Sequence, residues 1–312
     1  VVFELLILGS TSAVPVHDRY LSCQILNVHD KFFMIDCGEG TQFRLQHFRI
    51  SHHKIENVFI SHLHGDHILG LPGLINSMNI TGRKKKLTIW SPSGLEEMIG
   101  KIFEISGSYI GFEIIFNTID TSKNEKLYED NDVEVRAFPL SHRIPTAGFR
   151  ISEKSKLRNV DPVAIKSNNL TFNQIRAAKY GNDVEFPDGS VIRNKEITLP
   201  PKKLRSYAYC SDTKYNIEIA DYVKGVDLLY HESTYLDHLK DKAGERYHST
   251  ASDAAMIAKK ANAGKLILGH FSSRYHDLSG FMTEARNHFD NVELGLDGSK
   301  FSVILKEIED EF

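Results

Sequence analysis

The chain has 312 residues, a formal net charge of −3, 41% hydrophobic residues, 15 histidines and only 3 cysteines. That length suits one or two domains with a sizeable core, and the absence of short repeats or low-complexity tracts excludes a solenoid or a disordered chain. Apolar runs too short for a membrane span, no basic-then-apolar start, and an odd number of widely spaced cysteines (Cys23, Cys37, Cys210) argue against a membrane partner, secretion or a disulfide scaffold and lead us to expect a cytoplasmic protein.

In chain order, Phe3 to Leu8 reads as an opening strand. Asp36-Cys37-Gly38-Glu39-Gly40 predicts a tight turn, from which Asp36 or Glu39 is placed to hydrogen-bond a metal-binding histidine. Ile55 to Ser61 reads as a buried strand, and Ile68 to Met78 has the apolar spacing of a helix start. Between them His62-Leu63-His64-Gly65-Asp66-His67 offers four metal-binding side chains in six positions, with Gly65 expected to sharpen the turn. A chance group of surface histidines, as at His52-His53, is the plainer reading, and the density of ligands after a strand outweighs it. A helix is expected at Gly94 to Ser106, and Val133 to Leu140 alternates like a half-buried strand that runs into His142.

Residues 150–205 interrupt this pattern with polar stretches and a turn at Pro187 to Gly189. Lys154-Lys156-Arg158 and Lys202-Lys203-Arg205 flank the segment, and Arg83-Lys84-Lys85-Lys86 is a third cationic cluster. Local clusters of this kind suit a phosphate backbone despite the acidic total charge, although any one of them alone reads rather as a solvated surface. Beyond the interruption, Ser206 to Cys210 runs into Asp212, with Cys210 read as strand core. Val226 to Tyr230 runs into His231-Glu232-Ser233-Thr234-Tyr235, and His248 precedes a helix expected over Ser252 to Ala263. Lys265 to Leu268 runs into His270, closely followed by Ser273 and Arg274, a hydroxyl and a guanidinium suited to a phosphate. His17 and His276 receive no role.

The six-residue cluster with His142, Asp212 and His270 makes seven ligands, enough for two zinc ions, a bridging carboxylate and a water. Manganese or iron fits the same donors, since intrinsic affinity and availability compete.

The segments LGSTSAVPVHDRYLSC, DCGEGTQFRLQ, SHLHGDHILGLPGL, PLSHRIPTAGFR, LPPKKLRSYAYCSDT, HESTY, HSTASDAA and GHFSSRY cover nearly the whole chain in order. Together they resemble tRNase Z of the short form, within the metallo-β-lactamase superfamily. The resemblance implies an α/β chain folded as a four-layer αβ/βα sandwich spanning residues 1–312, with 150–205 as an inserted arm that grips tRNA. It places His62, His64 and His142 on one zinc and Asp66, His67 and His270 on the other, with Asp212 as bridge and Asp66 counted among the catalytic residues. His248 is implied as the proton donor to the leaving group, and Glu232 as its orienting carboxylate. Ser273 and Arg274 stand as phosphate contacts. The implied reaction removes the 3′ trailer of precursor tRNA, leaving a tRNA 3′-hydroxyl and a trailer 5′-phosphate, and the implied assembly is a homodimer. Two alternatives stay open: a two-zinc phosphodiesterase or ester hydrolase acting on small substrates, and a non-catalytic RNA-binding module of the same fold.

Overall fold

The strand Phe3–Gly9 sets the pattern for the fold. It is apolar from Leu5 onward and its successive side chains point opposite ways, so Leu5 and Ile7 enter one core while Leu6 and Leu8 enter another. Such a strand needs cover on both faces. The computed structural model, which describes residues 2–16, 18–200 and 202–306, supplies a second sheet on one side and helices on the other. His17 lies outside the described residues.

Each sheet has seven strands. The first runs Lys300–Ser302, Phe3–Gly9, Cys23–Val28, Lys31–Ile35, Ile55–Phe59, Leu87–Ser91, Ile114–Thr118. The second runs Val292–Leu294, Lys265–Gly269, Leu228–Glu232, Ser206–Cys210, Ala147–Glu153, Val133–Pro139, Glu125–Glu129. The last four strands of the first sheet and the first four of the second are parallel to their neighbours. Phe33, Phe59, Phe149, Tyr207, Tyr209 and Tyr230 fill the space between the sheets. On the outer faces, helices Leu71–Ile80 and Leu95–Ile105 cover the first sheet, and Ala251–Lys260 and Ser279–Arg286 cover the second. The layers are therefore helix, sheet, sheet, helix, as the resemblance implies. Cys210 points into the helix-covered core with Ala208, while Tyr207 and Tyr209 point between the sheets. All three cysteines are buried and free.

Two expectations about local structure need correction. The helix expected through Ala263 ends at Lys260, because Asn262 adopts a left-handed φ of 52° and the Asn262 and Ala263 amides donate to Lys259 and Ala258 carbonyls. Nor does Gly65 make a sharp turn. It opens a single helical turn, Gly65–Ile68, which is separated from Leu71–Ile80 by Leu69 and Gly70. The glycines that matter are Gly70 and Gly38: a Cβ on Gly70 would lie 2.1 Å from the Gly38 carbonyl oxygen, and one on Gly38 would lie 2.5 Å from the Asp66 carbonyl oxygen. Only two bare backbones can approach so closely, and their contact carries the Asp36 turn against the histidine cluster.

The chain divides into two compact units, one of residues 1–152 with 206–303 and one of Glu153–Arg205 with the tail from Ile304. The smaller unit has its own core of Val160, Ala164, Leu170, Ala178, Val184 and Ile197. Its helix Phe172–Lys179 starts with a capping box between Thr171 and Gln174. Residues 153–205 carry 11 Lys and Arg against 6 Asp and Glu, a net charge of +5 in a chain whose total is −3. The arginines of the three cationic clusters are nonetheless committed to structure. Arg83 is buried and donates to the carbonyls of His52, Lys85 and Lys86; Arg158 bonds the side chains of Asn194 and Thr198; Arg205 forms a buried two-point pair with Glu153 at 2.7 and 3.0 Å. A guanidinium can satisfy several acceptors at once, which suits it to these inward roles, whereas Lys84, Lys85 and Lys86 are exposed.

Candidate metal centre

The candidate site lies where the parallel strands end, the position at which open α/β sheets present loops to ligands. Ile55–Phe59 leads to the His62–His67 run, Ser206–Cys210 to Asp212, and Lys265–Gly269 to His270; Val133–Pro139, in the antiparallel part, leads to His142. All seven side chains converge. His62, His64, His142 and Asp212 have ligand atoms within 4.8 Å of one another, and so do Asp66, His67 and His270. Asp212 stands between the two groups. Its Oδ2 is 3.6 and 3.8 Å from Nε2 of His62 and His142, and its Oδ1 is 3.5 and 3.2 Å from Nε2 of His67 and His270.

The orientation of four of the five rings is fixed from behind. Nδ1 of His67 meets Asp36 Oδ2 at 2.7 Å, that of His62 meets Ser61 Oγ at 3.0 Å, that of His142 meets the Tyr247 carbonyl at 2.9 Å, and that of His270 meets Thr234 Oγ at 3.0 Å. With Nδ1–H donating outward, the Nε2 lone pairs face inward. His64 is turned the other way, with Nδ1 3.0 and 3.2 Å from Nε2 of His62 and His142. Nε2 of His67 and of His270 are 3.3 Å apart. Lone pairs aimed at one another at this spacing repel unless a cation lies among them, and ligands on a tetrahedral zinc with bonds of about 2.05 Å would be roughly 3.3 Å apart. Asp212 Oδ1 is buried with no hydrogen-bond partner in the structure. The donor set therefore fits divalent metal.

The electrostatics agree with that fit. Burial pushes the pKa of His62, His64 and His142 down, helped at His62 and His64 by neighbouring imidazoles, and so favours the neutral ligand form. Burial also opposes charge on His67, but Asp66, Asp36 and Asp212 overcome it and raise the pKa to about 10. That surplus of carboxylate is what a bound cation offsets. Asp66 is disfavoured as an anion by burial, yet the His67 and His270 imidazoles hold its pKa low; its Oδ2 also accepts the Ala13 amide at 2.8 Å.

His248 borders the same centre, with a ligand-type atom within 4.8 Å of those of Asp212 and His270. Its Nδ1 is 2.9 Å from Glu232 Oε1 and 4.0 Å from Asp212 Oδ2. Fully buried Glu232 also accepts the Thr213 amide at 2.9 Å and the Thr234 amide and hydroxyl at 3.0 and 2.6 Å. Burial opposes charge on both partners, but their mutual attraction wins, raising the pKa of His248 and lowering that of Glu232. A cleft of about 480 Å³ opens onto the centre, lined by His64, Asp66, Asp212 and His248 together with Val14, Glu39 and Arg143.

Of the two turn carboxylates, Asp36 bonds a histidine and Glu39 instead faces the cleft. Ser273 is half-buried, and exposed Arg274 lies 5.1 Å over the Tyr235 ring and bonds Ser272; neither lines the cleft. His276 is exposed. Sequence reasoning did not single out Thr234, Ser61 or Arg143. Arg143 had a visible signal as a cation adjoining His142, whereas Thr234 and Ser61 act through contacts that residue type does not announce.

The architecture is the metallo-β-lactamase fold: the metallo-β-lactamase fold protein YhfI from Bacillus subtilis, 17% identical, matches 96% of this chain and 99% of its own with a TM-score of 0.69. Human tRNase Z, short form, matches 96% of this chain and 99% of its own, with 26% identity and a TM-score of 0.69. A family model described as Anti-Pycsar protein Apyc1 matches residues 3–177, a span that includes His62 to His142 but stops before Asp212, His248 and His270. Relatives that cover those later residues too are Ribonuclease Z of Cytophaga hutchinsonii, 46% identical over 302 residues (96% of both chains), and Ribonuclease Z of Bacteroides fragilis, 41% identical over 292 residues (94% of this chain, 96% of that one). This chain belongs to the ribonuclease Z family.

Proposed function

We propose that this chain is a metal-dependent endoribonuclease that removes the 3′ trailer of precursor tRNA, leaving a 3′-hydroxyl on the tRNA and a 5′-phosphate on the trailer. The observation that carries this reading is the convergence, in a ribonuclease Z family chain, of seven metal-type donors beside a further imidazole, His248, whose Nδ1 meets Glu232. His62, His64 and His142 would hold one cation and Asp66, His67 and His270 the other, with the two oxygens of Asp212 divided between them. Five imidazoles with two carboxylates suit zinc, two per chain. Bound there, such a pair of cations supplies acidified water as nucleophile and offsets charge developing on the phosphodiester.

The remaining roles fall to the chain itself. Because His248 Nδ1 is engaged by Glu232, Nε2 is the atom that hands a proton to the departing 3′-oxygen as the phosphorus–oxygen bond breaks. Arg143, exposed on the cleft wall, is placed to meet the phosphate, with Ser273 and Arg274 further out. Residues 153–205, with their net charge of +5, serve as the arm that grips tRNA by its phosphates. The setting is the cytoplasm, and the assembly a homodimer.

The test is cleavage of a 3′-extended precursor tRNA by the purified protein, beside Asp212→Ala and a small aryl phosphodiester. Trimming at the acceptor end, lost in the variant together with bound metal, is the expected result. Hydrolysis of the small diester alone would remove tRNA as the substrate while leaving the metal chemistry standing.

A further inference from the structure

Tyr247 stands at φ 59°, a left-handed conformation that is costly for a tyrosine. Part of the reason is local: it ends the helix Lys240–Glu245, with the Tyr247 and His248 amides donating to the Gly244 and Ala243 carbonyls at 3.3 and 2.8 Å. Asparagine or glycine does that work with less strain, and this chain uses Asn262 for the same purpose after Ala251–Lys260. The Tyr247 carbonyl also holds Nδ1 of His142, but any residue supplies a carbonyl. The ring is what remains unexplained. It is 38% exposed, stands edge-on to the His142 ring with centroids 6.5 Å apart, and immediately precedes His248. Exposed Lys214, two residues past Asp212, places its ammonium 6.0 Å from the ring centroid and pairs with no carboxylate among the described residues.

An exposed aromatic ring edge-on to His142 and adjacent in sequence to His248, with a cation to attract a phosphate backbone, has the makings of a base-stacking platform. We propose that Tyr247 stacks on the nucleobase of the last nucleotide retained on the RNA, whose 3′-oxygen departs beside His248. This inference rests on the ribonuclease reading above. It makes Tyr247 a substrate-binding residue that distinguishes an RNA chain from a small diester.

The experiment is a cycle between ring and base. kcat/KM is measured for the parent, Tyr247→Asn and Tyr247→Phe on precursor tRNA carrying either a normal or an abasic last retained nucleotide. Asparagine keeps the left-handed turn without the ring, and its metal content and melting temperature check the fold. A stacked base is worth roughly 10- to 100-fold in kcat/KM, so Tyr247→Asn should lose that factor on normal RNA while Tyr247→Phe loses little. The abasic RNA should cost the parent a similar factor and Tyr247→Asn almost nothing more. If the two losses multiply, or if Tyr247→Asn cuts normal RNA as well as the parent, the stacking assignment falls while the ribonuclease reading stands. If the parent cuts neither RNA, the ribonuclease reading itself has failed.

Discussion

Replacing Glu232 with glutamine changes one oxygen for an NH2 at almost constant volume. The buried carboxylate accepts four hydrogen bonds, from the Thr213 amide, His248 Nδ1, and the Thr234 amide and hydroxyl. With the amide oxygen toward Thr213 and His248, the new NH2 faces the Thr234 amide; turned round, it faces His248. Either way at least one donor loses its acceptor, at a cost of about 1–3 kcal/mol to stability. The larger effect is on protonation. Burial pushes the pKa of His248 down and Glu232 pushes it up most strongly, so removing the charge leaves burial opposed only by the weaker pull of Asp212 and Asp66. A proton donor must be charged to act, so parental activity persists as pH rises toward the raised pKa, whereas the variant loses its charged form at a lower pH than the parent. The deficit should grow about tenfold per pH unit across the neutral range, approaching the roughly 10²- to 10⁴-fold worth of a general acid. Single-turnover cleavage from pH 5.5 to 9, with metal content measured in each preparation, reads this directly. A deficit that is equal at every pH, accompanied by metal loss, would refute the reasoning and assign Glu232 to holding His270 through Thr234.

Asp36→Asn should weaken metal binding by about 10- to 100-fold, read by competition with a chromogenic chelator, because the amide cannot accept from His67, Ser61 and Tyr209 together. Excising residues 154–204 through a short Gly-Ser link should abolish cleavage of precursor tRNA and spare a small aryl phosphodiester. In the intact protein kcat/KM for tRNA should fall steeply as salt is raised from 50 to 200 mM, with a much shallower response for the small substrate. Chelation of metal should lower the melting temperature while preserving near-ultraviolet circular dichroism, since cation at about 100 times its dissociation constant adds only about 2.7 kcal/mol; loss of that signal would mean that metal organises the fold.

The legible part of the site consists of residues that follow a strand. His142, Asp212 and His270 each come within three residues of a strand's end, and a strand packed in a sheet fixes where the next residues emerge, so type and place could be read together. Thr234 was hidden because its hydroxyl matters only through where two strands, Leu228–Glu232 and Lys265–Gly269, lie side by side. The Tyr247 carbonyl had no signature, since every residue has one. Burial misled the reading of cationic clusters: Arg83 and Arg205 look like their lysine neighbours in sequence and differ only in having acceptors behind them. Gly65 was credited with a turn that the contact between Gly38 and Gly70 makes instead, a pairing across thirty residues that local spacing does not encode.

Four of the residues with left-handed backbone are gathered at this one site. Ala13 (φ 64°) donates its amide to Asp66, Asp36 (φ 56°) bonds His67, Tyr247 (φ 59°) holds His142, and His270 (φ 58°) is itself a candidate ligand. Such conformations cost about 1–3 kcal/mol each outside glycine and persist only where surrounding structure determines them. For two of the four the surroundings are buried: Asp36 has no exposed surface and His270 is 2% exposed, both at the ends of strands within a packed sheet. The strain is therefore sustained by the sandwich, which aims the histidines before any cation arrives. A centre arranged in this way loses little free energy to reorganisation on binding metal, and its ligands hold their angles when a substrate phosphate approaches. That is why polar groups behind the ligands, Asp36 and Thr234 above all, should matter to chemistry that they never touch.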